Sequence, residues 1–155
     1  MATRAKKIDI YLRFDIGNSI GLGHASRCIE LAKKLKKSFN VNLCTNLEAK
    51  KILKNKEFNF FLKKKNEKEE VYILRIAKNK KEKILFIDTL YNYKTFIAKK
   101  VTQKFKKIFF YQNFSDGIQK SNVIIDPTPN LNSSRNIKKK FRGTKIFSGE
   151  KYLIV

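Results

Sequence analysis

The stretch from Ile10 to Leu35, IYLRFDIGNSIGLGHASRCIELAKKL, constrains the fold more than any other part of the chain. β-branched and aromatic residues over 8–14 predict a strand, and the glycines between Asp15 and Gly23 predict a loop. A helix is then predicted from His24 to Lys37, because apolar residues recur there at helical spacing, with lysines on the opposite face. A strand that feeds a helix through a glycine turn is typical of the opening unit of a parallel sheet.

The same alternation continues to the end of the chain. Further strands are predicted at 39–45, 58–62, 83–88, 107–112 and 122–126, and the segments 145–149 and 151–155 are predicted to give one or two short edge strands. Helices are predicted at 46–55, 67–79 and 92–105, and a loop at 127–136. KILFID at 83–88 contains a continuous apolar run that ends in a carboxylate, and its lack of alternation is typical of a central strand covered on both faces. We therefore predict an α/β protein, with one Rossmann-like, doubly wound, mostly parallel sheet formed as a single domain by residues 1–155.

In such a sheet, ligands bind at the carboxyl ends of the strands, where the strand order reverses. Three polar segments are predicted to meet at that edge: the loop from Asp15 to His24, Asp88 with the following TLYNY, and Asp126 with its prolines. We expect a ligand site among them.

The net charge of +23 raises the question of nucleic-acid binding, but the kinds and distribution of the basic residues do not favour such binding. Only six of the 36 basic residues are arginine, and the lysines are spread over every predicted helix. There is no aromatic and arginine ladder of the kind that binds RNA. We interpret the charge as a solvated surface that adheres weakly and salt-dependently to polyanions. A non-enzymatic basic binding module stays as an alternative.

Cys28 and Cys44 fall inside a predicted helix and a predicted strand, without metal-ligand spacing. They are predicted to be buried free thiols in a reducing cytoplasm, and no metal site and no cofactor is expected. No apolar run reaches the roughly 20 residues of a membrane helix, and the first residues lack the pattern of a signal peptide. A cytoplasmic location is expected.

His24, the only histidine, follows Gly21-Leu22-Gly23. Glycines allow close backbone approach and positive φ, and a helix start offers free N–H groups that suit phosphate. The pattern is neither the dinucleotide fingerprint nor Walker A, because no third glycine and no G-K-[ST] follows. Two interpretations stay open at this point: an anion site that carries an imidazole, or a tight turn with a helix-start histidine.

The wider pattern resembles a known family. The residues that carry the resemblance are Arg13, Asp15, Ile20-Gly21-x-Gly23-His24, Arg27-Cys28 and Leu31-Ala32. This series resembles the opening of the PseG/SpsG family, the UDP-2,4-diacetamido-2,4,6-trideoxy-β-L-altropyranose hydrolases and related spore-coat polysaccharide proteins. LFIDTLY at 85–91, SNVIIDPTP at 121–129 and SGEKYLIV at 148–155 resemble later family segments. Two details differ: Gln112-Asn113 stands where the family commonly has two aspartates, and Tyr91 lies one place further from Asp88.

The resemblance implies the amino-terminal half of a GT-B-like enzyme, with a UDP-binding second domain expected outside this chain. It implies release of UDP from a UDP-diacetamido sugar on a route to nonulosonic acid or surface polysaccharide. His24 would be the catalytic residue, either orienting or deprotonating water or steadying the leaving diphosphate. The residues implied in substrate binding are Asp15, Gly21, Leu22, Gly23, Arg27, Asp88 and Tyr91.

Other roles stay open for some of these residues. Asp15 and Asp88 also suit helix caps or turns, and Arg27 also suits a surface ion pair. For the whole chain, the alternative within carbohydrate chemistry is the acceptor half of a glycosyltransferase that pairs with a separate UDP-binding chain.

Overall fold

The computed structural model describes residues 7–17, 21–53, 57–78, 82–94, 100–101, 103–119, 122–128 and 131–154, with 131–134 described for the backbone alone. The strands are β1 (Asp9–Arg13), β2 (Asn40–Thr45), β3 (Asn59–Leu62), β4 (Lys83–Ile87), β5 (Lys107–Tyr111), β6 (Val123–Asp126) and β7 (Lys145–Ser148). The helices are α1 (Gly23–Leu35), α2 (Leu47–Leu53), α3 (Glu69–Ile76) and α4 (Leu131–Lys140), and a 3₁₀ turn covers Glu150–Tyr152.

All seven strands are parallel and lie in the order β3-β2-β1-β4-β5-β6-β7. The chain moves outward in one direction from β1 to β3, crosses back to β4, and then moves outward in the other direction. The strand order therefore reverses between β1 and β4, which is where a doubly wound sheet leaves a crevice at its carboxyl edge.

The two faces of the sheet are covered by different helices. One apolar cluster joins Ile10, Leu12 and Phe86 with α1 residues such as Cys28, and we call this side the α1 face. The other cluster joins Tyr11, Leu85 and Ile87 with Tyr72 and Ile73 of α3, and we call this side the α3 face. The buried residues of this cluster are Tyr11, Cys44, Tyr72, Ile73, Ile76, Ala77, Leu85, Ile87, Tyr93, Val101, Phe105, Ile108, Phe110, Ile118, Ile124 and Phe141. The predicted Rossmann-like, doubly wound fold is confirmed.

β4 shows why its sequence is continuously apolar. Ile84 and Phe86 pack on the α1 face, whereas Leu85 and Ile87 pack on the α3 face. The strand lies between β1 and β5, and most of its side chains are buried, with Ile84 partly exposed, as expected for a strand that is covered on both faces. The free thiols of Cys28 and Cys44 are also buried, as predicted.

The loop predicted at 127–136 is wrong beyond its first residues, because α4 begins at Leu131. Asparagine and serine have poor helix propensity and favour turns, and the apolar spacing is sparse. Ile137 and Phe141 nevertheless lie one helical turn apart and pack on the α3 face. Tertiary packing therefore outweighs local propensity in this segment.

Of the one or two edge strands predicted, the first forms as β7, whereas the described residues 151–154 do not form a second. Gly149 has φ of +109°, a backbone conformation that favours glycine. The chain turns out of the sheet there and forms the 3₁₀ turn Glu150–Tyr152. It then reaches the α1 face, where the Ile154 N–H donates to the hydroxyl of Tyr111 at 3.3 Å.

The helix predicted at 92–105 is described only in part. Residues 92–94 are irregular and 100–101 are helical, whereas 95–99 and 102 lie outside the described residues. Val101 and Phe105, two of the predicted inner residues, are buried on the α3 face.

One ion pair near α3 predicts how stability depends on pH. Arg75 Nε and Nη2 donate to the two oxygens of Glu67 at 2.7 and 2.8 Å, and these bonds lower the pKa of Glu67 from 4.5 to about 2. A carboxylate with a depressed pKa stabilises the fold fully above its unfolded pKa and loses that effect as pH falls toward the folded pKa. We therefore expect the free energy of unfolding to decline between about pH 4.5 and 2.

Urea unfolding across that pH range measures the effect. The contribution of the pair is expected to be about 1–2 kcal/mol, less than the pKa shift alone implies, because the Arg75 side chain is 33% exposed. In Glu67→Gln, the free energy of unfolding is expected to be lower by this amount at neutral pH and to depend less on pH. An unchanged pH slope in Glu67→Gln would contradict the assignment.

Candidate functional site

The candidate site lies at the carboxyl ends of β1 and β4. Asp88 directly follows β4, and its N–H donates to the Arg13 carbonyl at 2.9 Å, which extends the β1–β4 pairing by one step. α1 begins at Gly23, after the loop that leaves β1. Its first turn carries His24 over Asp88. The reversal of strand order thus brings together two segments that are 64 residues apart in sequence.

Asp88 is fully buried, and both of its oxygens are bonded to α1. Oδ1 lies 2.5 Å from His24 Nδ1 and accepts from Arg27 Nη2 at 3.0 Å, while Oδ2 accepts from Arg27 Nε at 2.9 Å. A buried carboxylate needs such partners, since an unpaired one is costly. Asp88 is therefore a fixed anchor beneath the histidine.

The hydrogen bonds also assign the proton of the imidazole. His24 Nδ1 has two close neighbours, Asp88 Oδ1 at 2.5 Å and Arg27 Nη2 at 3.1 Å. The guanidinium is donor-only and already donates to Asp88, whereas the carboxylate is acceptor-only. Nδ1 therefore carries the hydrogen and donates it to Asp88. In the neutral ring, Nε2 is then the nitrogen with the lone pair, and within the described residues it has no hydrogen-bond partner.

Arg27 completes a hydrogen-bonded group with His24 and Asp88, which we call the His24 cluster. Its guanidinium lies over the Tyr111 ring at 5.3 Å, a favourable cation–π distance. Hydrogen bonding to Asp88 raises the pKa of Arg27 and outweighs the opposite effect of burial. Nη1 makes no hydrogen bond to the described residues, and it lies 3.4 Å from the position that a Cβ on Gly23 would occupy. The Nη1 amino group of Arg27, with its two N–H donors, thus remains available beside the start of α1.

The glycines differ in what they require. Gly21 has φ of +69° and open space where a side chain would be, so its backbone conformation is the constraint. Leu22 precedes the helix, is 58% exposed and makes no capping hydrogen bond with its side chain. The first N–H groups of α1 have no intrahelical acceptor, as at any helix start. The predicted glycine turn before His24 is confirmed as local geometry.

Asp15 has a different partner from the other predicted site residues. It accepts from Arg13 Nη1 and Nη2 at 2.7 and 2.6 Å. Arg13 also donates to Glu69 at 2.7 and 2.8 Å, and its side chain is fully buried. Burial by itself lowers the pKa of Arg13, but the hydrogen bonds to Glu69 and Asp15 outweigh this and raise it.

Tyr91 likewise lies outside the His24 cluster of hydrogen bonds. Its hydroxyl donates to Glu70, and its ring packs edge-on against Tyr93 with centroids 5.0 Å apart. The side chain is 39% exposed. Hydrogen bonding to Glu70, with burial, raises the pKa of Tyr91 to about 12. Its predicted role in substrate binding stays a prediction, as do those of Leu22 and the two glycines.

Sequence reasoning missed several supporting residues. Glu69, which the sequence places only within the helix predicted at 67–79, binds Arg13 and accepts from the Tyr93 hydroxyl at 2.8 Å. Asn113 donates to the carbonyls of Thr89 and Tyr91 at 2.7 and 3.0 Å, and so holds the loop after Asp88. Their sequence signal was weak, because each partner lies more than 20 residues away.

No family model matches the chain, and neither a curated protein nor a solved structure matches it significantly. Within the described residues, no group of three or more His, Cys, Asp or Glu side chains is placed to hold a metal ion. No helix in the same part of the chain is long and apolar enough to span a bilayer.

Proposed function

We propose that this chain is the histidine-bearing half of a nucleotide-sugar hydrolase of the PseG/SpsG type, with a second, UDP-binding half outside it. The observation that carries the proposal is the hydrogen bond from His24 Nδ1 to the buried Asp88 carboxylate, 2.5 Å long, at the carboxyl edge of the sheet. A carboxylate that orients an imidazole leaves the other ring nitrogen free for proton transfer, as catalytic bases require.

The surroundings of His24 suit an anionic leaving group. The start of α1 presents N–H groups and the positive end of the helix dipole, and Arg27 Nη1 lies beside Gly23. A diphosphate bound there would place the linked sugar close to His24. Nε2 would take a proton from the attacking water, or hold the water for attack, while the bond between sugar and diphosphate breaks. The products would be UDP and the free sugar.

The test is release of UDP from a UDP-diacetamido-trideoxyhexose, measured for the chain by itself and mixed with a UDP-binding GT-B half. We expect UDP and free sugar in equal amounts, independent of any added acceptor sugar. Absence of UDP release in both forms would contradict the proposal. Release only in the presence of an acceptor would assign the chain to a glycosyltransferase instead.

A further inference from the structure

An apolar groove of about 390 Å³ lies on the α1 face of the sheet. Its floor includes Phe109 of β5 and Ile125 of β6, and Leu31 of α1 lines it together with Tyr152 and Ile154, which follow β7. Every side chain that lines the groove is aliphatic or aromatic. An apolar surface of this kind on a protein is typical of an interaction site.

The strands under the groove are covered on one face only. Among the described residues, α3 and the strand-following helix α4 pack on the α3 face, and α1 and α2 pack on the α1 face beside β1. The floor residues on the α1 face are partly exposed, whereas their neighbours on the α3 face are 2% exposed or less; the first set is Ile84, Phe109 and Ile125, and the second is Leu85, Ile108 and Ile124. Strands of a parallel sheet are normally covered on both faces.

The backbone of the floor strands restricts what covers them. β4, β5 and β6 each pair with a strand on both sides, so their N–H and C=O groups are bonded within the sheet. A segment that lies over them must therefore satisfy its own backbone groups, which a helix does. Strands of four or five residues are about 13–17 Å long, and about ten residues of helix have this length. The groove fits the apolar face of a short helix.

Lysines lie beside the groove where the chain leaves β7. Lys145 Nζ lies 4.9 Å from the centre of the Phe147 ring, which packs on Tyr152 with ring centroids 5.3 Å apart. Lys151 Nζ lies 5.1 Å from the centre of the Tyr152 ring. Both lysines are exposed, and Glu150 is the one acidic residue between 145 and 154. This side of the groove therefore carries a net positive charge.

The α1 side of the groove is also basic. Lys34 is exposed and follows Leu31 by three residues, which places the two side chains next to each other on the helix surface. The nearest acidic residue of α1, Glu30, forms its ion pair with Lys33 at 2.6 Å. Within the described residues, Lys34 has no ion pair, and neither have Lys145 and Lys151. Charges on both sides of the groove are thus available to an acidic partner.

We infer that this groove is the docking site for an amphipathic helix of a partner protein, with aliphatic residues on its inner face and glutamates or aspartates on its flanks. A second copy of this chain is a poor occupant, because each copy carries a net charge of +23 and a two-fold contact would place lysines against lysines. The inference does not depend on the proposed function, since the groove is lined by none of His24, Arg27 and Asp88.

The probe is a fluorescein-labelled peptide of about 15 residues, long enough to be partly helical, with leucines at helical spacing and glutamates elsewhere. Two comparison peptides replace either the glutamates with lysines or the leucines with serines. Fluorescence anisotropy at physiological salt measures affinity for the full chain. We expect the leucine–glutamate peptide to bind at least about tenfold more tightly than either comparison peptide. In NMR titration it is expected to shift the amide signals of residues 84–86, 109 and 152–154.

Two pairs of variants separate the groove from the general charge of the protein. Lys145→Glu/Lys151→Glu is expected to weaken binding about fivefold, whereas Lys138→Glu/Lys139→Glu, with the same net charge but on α4, is expected to leave it unchanged. Ile154→Ser is expected to weaken binding about fivefold as well, in contrast to Val71→Ser, at an exposed position of α3. Circular dichroism checks the fold of each variant.

Three results would overturn the inference. They are equal affinities for the three peptides, equal losses in the two lysine double variants, and self-association of the wild type that Ile154→Ser abolishes. The first would show that the groove does not select its occupant, and the second that net charge alone attracts the peptide. The third, measured by sedimentation, would assign the groove to a second copy of the chain.

Discussion

Replacing His24 with asparagine is expected to lower kcat for UDP release by about 10²–10⁴-fold, the usual contribution of a general acid or base. Asparagine retains a donor for Asp88 but has no titratable nitrogen in place of Nε2. The fold is expected to survive, because Asp88 keeps two hydrogen bonds from Arg27. Steady-state UDP release and circular dichroism of the same preparation measure both effects.

Two further variants make this result specific. Asp88→Asn is expected to reduce kcat less than His24→Asn, because the imidazole remains but loses its ionised partner. Ser26→Ala, an exposed position on the same turn of α1, is expected to turn over normally. Near-wild-type turnover by folded His24→Asn protein would remove His24 from the mechanism.

Replacing Arg13 with methionine is expected to lower the free energy of unfolding by about 3–5 kcal/mol, the usual cost of breaking a buried ion pair from one side. Arg13 binds Asp15 and Glu69 through both oxygens of each carboxylate, and also donates to the Phe14 carbonyl at 2.5 Å. Methionine retains an unbranched apolar stem similar to that of arginine, but it leaves Asp15 without its cation and Glu69 with Lys63 as its remaining cation. Such a loss is a large part of the stability of a typical domain, about 5–15 kcal/mol.

Urea unfolding at neutral pH measures this effect, with Arg13→Lys as the matched variant. Lysine keeps the charge but cannot bind two carboxylates in the planar, bidentate manner of a guanidinium. We therefore expect the free energy of unfolding of Arg13→Lys to lie between those of the wild type and Arg13→Met. If Arg13→Met does not yield folded protein, a lower free energy of unfolding in Arg13→Lys than in the wild type still tests the bidentate geometry. A loss below about 1 kcal/mol in Arg13→Met would show that the network contributes little to stability.

Two hydrogen-bonded networks lie side by side at the carboxyl edge of the sheet. The Arg13 network joins Arg13, Asp15 and Glu69, and the His24 network is the cluster of His24, Arg27 and Asp88. The Arg13 network has a fully buried guanidinium and joins β1 to α3 through Glu69. In the His24 network the imidazole is 15% exposed and Nε2 has no partner in the described residues. The first suits a structural tie, whereas the second leaves a chemically useful nitrogen available. This difference supports placing the chemistry at His24 and not at Asp15.

Local patterns in the sequence determined the secondary-structure order and hence the fold class. The uninterrupted apolar run at 84–87 requires cover on both sides, and the structure places β4 at the centre of a parallel sheet. The glycine turn before His24 was equally clear, because positive φ and a helix start have strong residue preferences. These features depend on neighbours within a few residues, so a single sequence is enough to predict them.

Tertiary structure alone decided which polar residues meet. Sequence placed Asp15 and Asp88 at the same edge with equal standing, but only the strand order puts Asp88 under His24, whereas Asp15 binds Arg13, two residues before it in the chain. Tertiary packing also stabilises α4, a segment of poor helix propensity, because Ile137 and Phe141 pack against residues that are distant in sequence. Hydrogen bonds between residues that are distant in sequence have no local pattern, and the Asp88 partnership on which the proposed chemistry rests is one of them.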